Sequence, residues 1–411
     1  MRRKRRSSTP RPRWPEPVRL NASRETAIKP VTLTFYEFFA GGGMARAGLG
    51  AGWTCAFAND LSPKKAAAYR ANWGGEELFL GDVHDVTSAM LPGRADLAWG
   101  SFPCQDLSLA GRGAGLSGAR SGAFWGFWAA ILALRREERA PKTLVLENVC
   151  GTLTSHGGQD FAAIGSALAE AGYRFGAMVV DAALFVPQSR PRLFILAFAR
   201  DVVPPEGFVS HSPSALWHPK ALVAAHARLG AEARKAWVWI TAPAPRRNVA
   251  TLADIVEDEP ADVRWRSAPE TEALLAMMAP LHRARIAAAC LSGERRVGTV
   301  YKRMRIGPDG RKIQRAEARF DGIAGCLRTP AGGSSRQTLI VIDGAAVRTR
   351  LMSAREAARL MGLPDDYQLP ANYNDGYRLA GDGVAAPVVR FLAEHLIEPL
   401  LGRDALALKA G

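Results

Sequence analysis

Val31-Thr32-Leu33-Thr34-Phe35-Tyr36-Glu37-Phe38-Phe39-Ala40-Gly41-Gly42-Gly43-Met44 is the stretch on which the reading of this chain turns. β-Branched and aromatic residues dominate its first nine positions and predict a strand, Val31 to Phe39. Three glycines then make a turn, and Met44 to Leu49 starts a helix. A strand, a glycine turn and a helix form the usual nucleotide cradle, because glycine lets a ligand approach the backbone and the helix start offers free N–H groups. The spacing is not that of a dinucleotide fingerprint. Taken alone, the run reads equally well as a tight strand–helix turn.

The neighbouring segments tip that balance. Trp53 to Ala58 reads as a second strand, followed by Asp60, whose carboxylate can accept from ribose hydroxyls. Ser62 and Pro63 supply an N-cap and a first-turn proline for a helix through Asn72. Asp82 closes a third strand near Leu78 and can accept from an adenine amino group. Sites at three successive strand ends point to an adenosine-bearing ligand. Further strands are predicted at Asp96 to Trp99, Thr143 to Leu146, Tyr173 to Val180 and Leu193 to Phe198. Helices are predicted at Phe124 to Glu138 and Phe161 to Ala171. The alternation implies an α/β fold, a Rossmann-like domain with a mainly parallel sheet. From about Asp201 to Gly344 the rhythm gives way to prolines, tryptophans and basic residues. Helical pattern returns at Ser353 to Met361 and Pro387 to Leu400. The expected layout is therefore a basic tail (1–29), a first catalytic part (30–200), a smaller mixed domain (201–344) and a closing catalytic part (345–411).

Composition sets outer limits. Of 411 residues, 48% are apolar and 23% charged, enough for a sizeable core. The apolar run Ala123 to Leu134 is too short to span a bilayer, and no apolar segment follows the basic N-terminus, so a cytoplasmic protein with no membrane partner is expected. Five cysteines, at 55, 104, 150, 290 and 326, form no CxxC pair and do not cluster with histidine, which argues against disulfides and against a metal. The net charge is +15; the first twenty residues carry eight basic side chains and one acid, and Leu281 to Phe320 carry eleven against three. Such an excess suits a polyanion, though a solvated surface accounts for it equally.

Ser101-Phe102-Pro103-Cys104-Gln105-Asp106-Leu107-Ser108 follows the strand ending at Trp99 and puts a cysteine on a loop where parallel sheets place their sites. A glycine-rich stretch, Gly111 to Gly122, follows and can close over a substrate. The other four cysteines read as small core hydrophobes. Glu147-Asn148-Val149 alone suggests a cap or a buried acid, and Gln188-Ser189-Arg190-Pro191-Arg192 alone suggests an exposed approach to a strand.

In this order, these segments resemble the DNA cytosine-5 methyltransferase family. So does the C-terminal pair Arg350 to Pro364 and Tyr377-Arg378-Leu379-Ala380-Gly381-Asp382-Gly383-Val384. The resemblance covers about residues 31–200 and 345–400. It implies sequence-specific methylation of double-stranded DNA at carbon 5 of a flipped cytosine, with S-adenosyl-L-methionine as cofactor. Cys104 would be the nucleophile and Glu147 the acid at ring nitrogen 3, with Arg192 and Arg190 at the cytosine carbonyl. Phe39, Ala40, Gly41, Gly43, Asp60, Leu61, Asp82, Val83 and Pro103 would hold the cofactor. Gln105, Ser108, Asn148, Arg336 and Gln337 would face DNA, the last two on a loop between two strands in a target-recognition domain spanning 201–344. A nucleoid-associated enzyme, alone or with a cognate restriction endonuclease, fits the same resemblance. Two positions depart from the family pattern: Asp382 stands where Asn is usual, and Met44 where a glycine is. The motifs are equally compatible with the RNA-methylating branch of this chemistry. A catalytically dead DNA-binding regulator is disfavoured by Cys104, Glu147 and Arg192 together.

Overall fold

The computed structural model describes residues 32–103, 122–246, 250–307, 310–328 and 336–402. Residues from Leu33 onward form one compact unit. The expected basic tail, Cys104, Gln105, Ser108 and the Gly111–Ser121 stretch lie outside the described residues.

The first half alternates as the sequence predicts: β1 (Leu33–Phe38), α1 (Met44–Leu49), β2 (Trp53–Asp60), α2 (Pro63–Trp73), β3 (Leu78–Leu80), β4 (Leu97–Gly100), α3 (Ala123–Arg136), β5 (Thr143–Val149), α4 (Gln159–Glu170), β6 (Tyr173–Asp181) and β7 (Pro191–Ala199). Ser62 caps α2, accepting from Lys65 N, with Pro63 in the first turn. The seven strands form one sheet in the order β3-β2-β1-β4-β5-β7-β6. Six strands run in one direction, and β7 alone is reversed, antiparallel to both β5 and β6. Helices α3 and α4 pack on one face around Phe127, Ile131 and Ile164. The other face is covered by α1, α2 and a C-terminal helix around Leu49, Tyr69 and Val389.

After β7 come a two-stranded pair, β8 (Val209–Ser210) and β9 (Trp239–Ile240), and short helices α5 (Lys220–Ala227), α6 (Ala231–Ala236), α7 (Leu252–Ile255), α8 (Ala268–Ala276) and α9 (Pro280–Leu291). A second, antiparallel sheet follows: β10 (Arg296–Ile306), β11 (Lys312–Arg319), β12 (Thr338–Asp343) and β13 (Ala346–Leu351), in the order β11-β10-β12-β13. It has its own small core, in which Leu274, Met278 and Ile286 meet Val300, Ala318 and Ile340. Its last strand runs past Gly344. Arg350 on that strand is fully buried and makes a bidentate pair with Glu356, the capping-box acid of α10 (Ala354–Leu360). Then come α11 (Tyr373–Asp382) and α12 (Ala386–Leu392); the helix expected from Pro387 to Leu400 continues through a π-turn at Ala393–Ile397.

The Arg328 to Gln337 segment lies between β11 and β12 in the chain, as expected, and residues 329–335 of it are outside the described residues. Its upstream side is extended chain docked on the first sheet's exit, where Ala324 N donates to Pro187 O (2.8 Å) and Ser189 N to Ala324 O (2.9 Å). The segment makes its pairing with the 187–189 turn instead of with a neighbouring strand.

Candidate active site

The carboxyl ends of β1, β2, β4 and β5 lie side by side, and the expected site residues collect there. Phe39 sits at φ 60°, and Gly41 and Gly43 at φ 59° and 76°. A side chain built on Gly41 would meet nothing within 4 Å, so this glycine borders open space. Gly42 and Gly43 are also required by packing. Their missing side chains leave room for Tyr367 and Trp73, a Cβ at either approaching to 2.2 and 2.3 Å. Both rings donate to Gly42 O, Tyr367 Oη at 2.7 Å and Trp73 Nε1 at 3.0 Å. The turn is thus held from beneath by protein groups, and its open side is at Gly41.

Asp60 ends β2 with both carboxylate oxygens engaged: Oδ2 accepts from Gly41 N (2.8 Å) and Oδ1 from Ser62 N (2.7 Å). It ties the glycine turn to the start of α2, and each oxygen keeps further lone pairs for a hydroxyl. Leu61 beside it is 67% exposed, an apolar face next to two polar ends. Asp82 begins a short helical turn, accepting from His84 N (3.0 Å) and pairing with His84 Nδ1 (2.7 Å); these contacts hold its carboxyl below the usual range. Val83 is buried against the Gly126 backbone. Ala40 N is taken by Asn59 O (2.8 Å), which fixes the turn to β2.

Glu147 lies near the end of β5, buried, with Arg192 Nε 3.3 Å from its Oε1. Burial pushes its carboxyl up, opposed by the charges of Arg192 and Arg190 and by a hydrogen bond with Ser101. Asn148 donates from Nδ2 to Phe102 O (3.2 Å), and Phe102 packs on Phe124 with ring centroids 5.5 Å apart. The backbone at Phe102 is therefore held by the residue next to Glu147. Asn148, expected to face DNA, is itself buried and performs this positioning.

Arg190 was expected beside Arg192 at the base. It is fully enclosed instead: Nη2 donates to Gly381 O (2.9 Å) and Gly383 O (2.7 Å), and Nη1 to Leu327 O (3.4 Å) and Cys326 Sγ (3.4 Å). Through its two terminal nitrogens it links β7 to the C-terminal segment and to the docked 320–328 chain. Gln188 does similar work, donating to Leu360 O (2.8 Å) and accepting from Leu327 N (3.1 Å). Gln337 is also turned inward: its Nε2 donates to Cys326 O (3.4 Å) and its backbone N to Tyr377 Oη (3.0 Å). Arg336 stacks on Tyr373 (5.5 Å to the centroid) and bonds to Asn374.

Sequence reasoning missed four contributors. Tyr367 and Trp73 carry no motif signal, and Lys65, 2.9 Å from Asp382, carries none either. Cys326, read as a bland core residue, lies against Arg190 and Arg192 (Nη2 to Sγ 3.8 Å). Among the described residues no cluster of His, Cys, Asp and Glu has the makeup of a metal site, and no helix is long and apolar enough to cross a membrane.

A glycine turn bordering open space, carboxylates at the next two strand ends and a buried glutamate–arginine pair are the arrangement of a methyltransferase built on a Rossmann-like sheet. The family model of C-5 cytosine-specific DNA methylases matches residues 33–398, nearly the whole described unit, and the chain belongs to that family. It is a DNA cytosine-5 methyltransferase. Among curated relatives, the Type II methyltransferase M.HpaII of Haemophilus parainfluenzae is 27% identical over 387 residues, covering 89% of this chain and 90% of its own length. M.HhaI of Haemophilus parahaemolyticus is 25% identical over 368 residues, covering 89% and 94%. The fold is shared with a crystal structure of a Spodoptera frugiperda DNMT2 mutant (TM-score 0.55, 14% identity, 90% of this chain and 99% of that one). It is also shared with the Entamoeba histolytica methyltransferase EhMeth (TM-score 0.52, 13% identity, 90% and 98%).

Proposed function

We propose that the chain methylates a flipped cytosine within a specific sequence of duplex DNA, using S-adenosyl-L-methionine. The observation that carries this reading is the buried Glu147 with Arg192 against it, next to the Asn148 that holds the Phe102 backbone. Cytosine carbon 5 is a poor nucleophile. Addition of the Cys104 thiolate to carbon 6, with Glu147 giving a proton to ring nitrogen 3, turns the ring into an enamine whose carbon 5 can attack. Burial keeps a proton on Glu147 at higher pH than an exposed carboxyl would allow, which suits the donor role. Arg192 is placed to hold the cytosine carbonyl oxygen. A base inside a duplex is out of reach, so it must leave the stack at a cost of a few kcal/mol.

The cofactor fits the described residues. Gly41 borders open space, Leu61 offers an apolar face, and the Asp60 and Asp82 carboxylates suit ribose hydroxyls and an adenine amino group. Phe39, Ala40, Gly43, Val83 and Pro103 complete the proposed wall. Bound there, the cofactor supplies an electrophilic methyl group on its sulfonium.

For target recognition we place the reading element on the β10–β11 ribbon rather than on Arg336 and Gln337. Its outer half pairs from Lys302↔Ala316 to Ile306↔Lys312, and Lys302 to Ile306 are all exposed. A two-stranded ribbon fits the major groove, and this one is basic. Residues 201–344, with β13 added, form the proposed recognition region. A bacterial cytoplasmic setting and a companion restriction endonuclease belong to the same proposal. The deciding experiment is Cys104→Ser: methyl transfer to duplex DNA should vanish while cofactor binding persists. DNA containing 5-fluorocytosine should form a covalent adduct located on Cys104 by mass spectrometry. Near-normal turnover of the serine variant, or an adduct on another cysteine, overturns the mechanism.

A further inference from the structure

Outside the groups assigned above, the sulfur of Cys326 has the most unusual surroundings in the described chain. Two guanidinium groups converge on it, Arg190 Nη1 at 3.4 Å and Arg192 Nη2 at 3.8 Å. They arrive from the start of β7, while Cys326 arrives on the 320–328 segment docked against Pro187–Ser189. Arg192 also faces Glu147, so the thiol and the carboxyl flank one cation. Two nearby polar atoms on side chains more than nine-tenths buried have no hydrogen-bond partner among the described residues. They are Arg190 Nε, a donor, and Gln337 Oε1, an acceptor on the side chain that donates to the Cys326 carbonyl. An unfilled donor and an unfilled acceptor beside a sulfur complement a small polar group such as an amide, which offers both an oxygen and an N–H.

We propose that Cys326 is a second reactive thiol of the catalytic centre, a modification site for small polar electrophiles whose capture displaces Arg192 from Glu147. The inference rests on the proposed role of Glu147 and Arg192 only for its consequence, not for the reactivity itself. Burial pushes a thiol up, but at Cys326 the charges of Arg190 and Arg192 outweigh it and bring the group below its ordinary value. Cys55, buried beside Glu37 and without such cations in contact, is pushed up to about 12, and Cys150 is raised as well. Since the thiolate is the nucleophile, Cys326 has the advantage over both. With iodoacetamide the step is a simple displacement: the thiolate sulfur bonds to the methylene carbon, the carbon–iodine bond breaks, and iodide leaves with its electron pair. The added acetamide brings the amide that the empty donor and acceptor can hold, and its bulk stands where Arg192 meets the sulfur.

The test uses the full chain and iodoacetamide, with peptide mass spectrometry following each cysteine in time near neutral pH. Cys326 should be alkylated at least about tenfold faster than Cys55 or Cys150, because the rate follows the thiolate fraction and its flanking cations favour the thiolate. Arg192→Gln should slow that labelling several-fold and Arg192→Lys should largely restore it, because the effect depends on charge. A merely structural contact would not follow this order. In a Cys104→Ala background, labelling of Cys326 should proceed unchanged, which separates the two thiols. Labelling of Cys326 no faster than Cys55, or rates insensitive to Arg192→Gln, overturns the inference. If the wild-type chain transfers no methyl group to DNA, the proposed function fails while the labelling rates still judge Cys326.

Discussion

The Lys65 ammonium lies 2.9 Å from the Asp382 carboxylate, at the position where this chain departs from its family's usual asparagine. Asp60 and Asp382 together hold the lysine in its charged form against the effect of burial. A second rung, Lys64 to Asp375 at 2.9 Å, joins the same two helices, α2 and α11. The departure is thus matched by a cation on the first turn of α2, beside the cofactor-facing residues.

Because both partners remain partly exposed, the Lys65–Asp382 pair should contribute less than about 1 kcal/mol. Asp382→Asn and Lys65→Met should each lower the unfolding temperature slightly, and the double variant should lose no more than the larger single effect. Fully additive losses in a double-mutant cycle would show that the two charges do not interact.

Asp60→Ala removes the acceptor for two backbone N–H groups, Gly41 and Ser62. A loss of stability of about 1–3 kcal/mol is expected in urea unfolding, since one charged acceptor served both donors. Cofactor affinity, read by isothermal titration, should fall more than DNA affinity. Unchanged cofactor binding would place the ribose contact elsewhere.

Glu37 is buried on β1 beneath α1, and its Oε2 has no hydrogen-bond partner among the described residues. Burial pushes its carboxyl up from an ordinary 4.5 to about 8. Between those values the folded chain keeps a proton that the unfolded chain releases, so stability declines as pH rises, by about 1.4 kcal/mol per pH unit at most. Glu37→Gln should flatten this decline, measured as urea midpoints at about pH 6, 7 and 8. Parallel pH profiles for the two proteins would remove Glu37 as the source.

On the ribbon, Lys302→Ala with Lys312→Ala should reduce the salt dependence of DNA binding by up to about 1.8 in log–log slope if each contacts one phosphate. Arg336→Ala and Gln337→Ala should chiefly destabilise the loop base, since one stacks on Tyr373 and the other is enclosed. Bisulfite sequencing that finds new methylated motifs in the Arg336 or Gln337 variants, and none after ribbon changes, would return recognition to the loop.

The parts of this molecule governed by nearby residues were legible in the sequence. The β1 run, the glycine turn and the Ser62-Pro63 cap depend on neighbours a few positions away, and their bounds were read to within about two residues. The reversed direction of β7 was not legible, because an apolar strand reads the same either way along a sheet. Arg190 looked like Arg192 in sequence; only the fold, bringing Gly381 and Leu327 to it from 191 and 137 positions away, separates an enclosed strut from a substrate-facing side chain. The cationic surroundings of Cys326 were not legible for the same reason, since both arginines that contact it lie more than a hundred residues upstream.

The closing of α12 onto α1 also bears on synthesis. Gly48 lets Val389 come so close that a Cβ there would approach to 2.4 Å, and Trp53 Nε1 donates to Glu398, 345 residues later (2.9 Å). A ribosome releases β1, α1 and β2 long before their cover exists, at roughly 5–20 residues per second, so that face stays open for on the order of 20–70 seconds. Over that interval the growing chain carries an apolar surface it cannot satisfy alone, and the loop that must close spans the entire recognition region. Synthesis that stalls before α12 leaves one side of the glycine turn's sheet only partly covered, and such fragments are the ones expected to be held by chaperones or lost to aggregation.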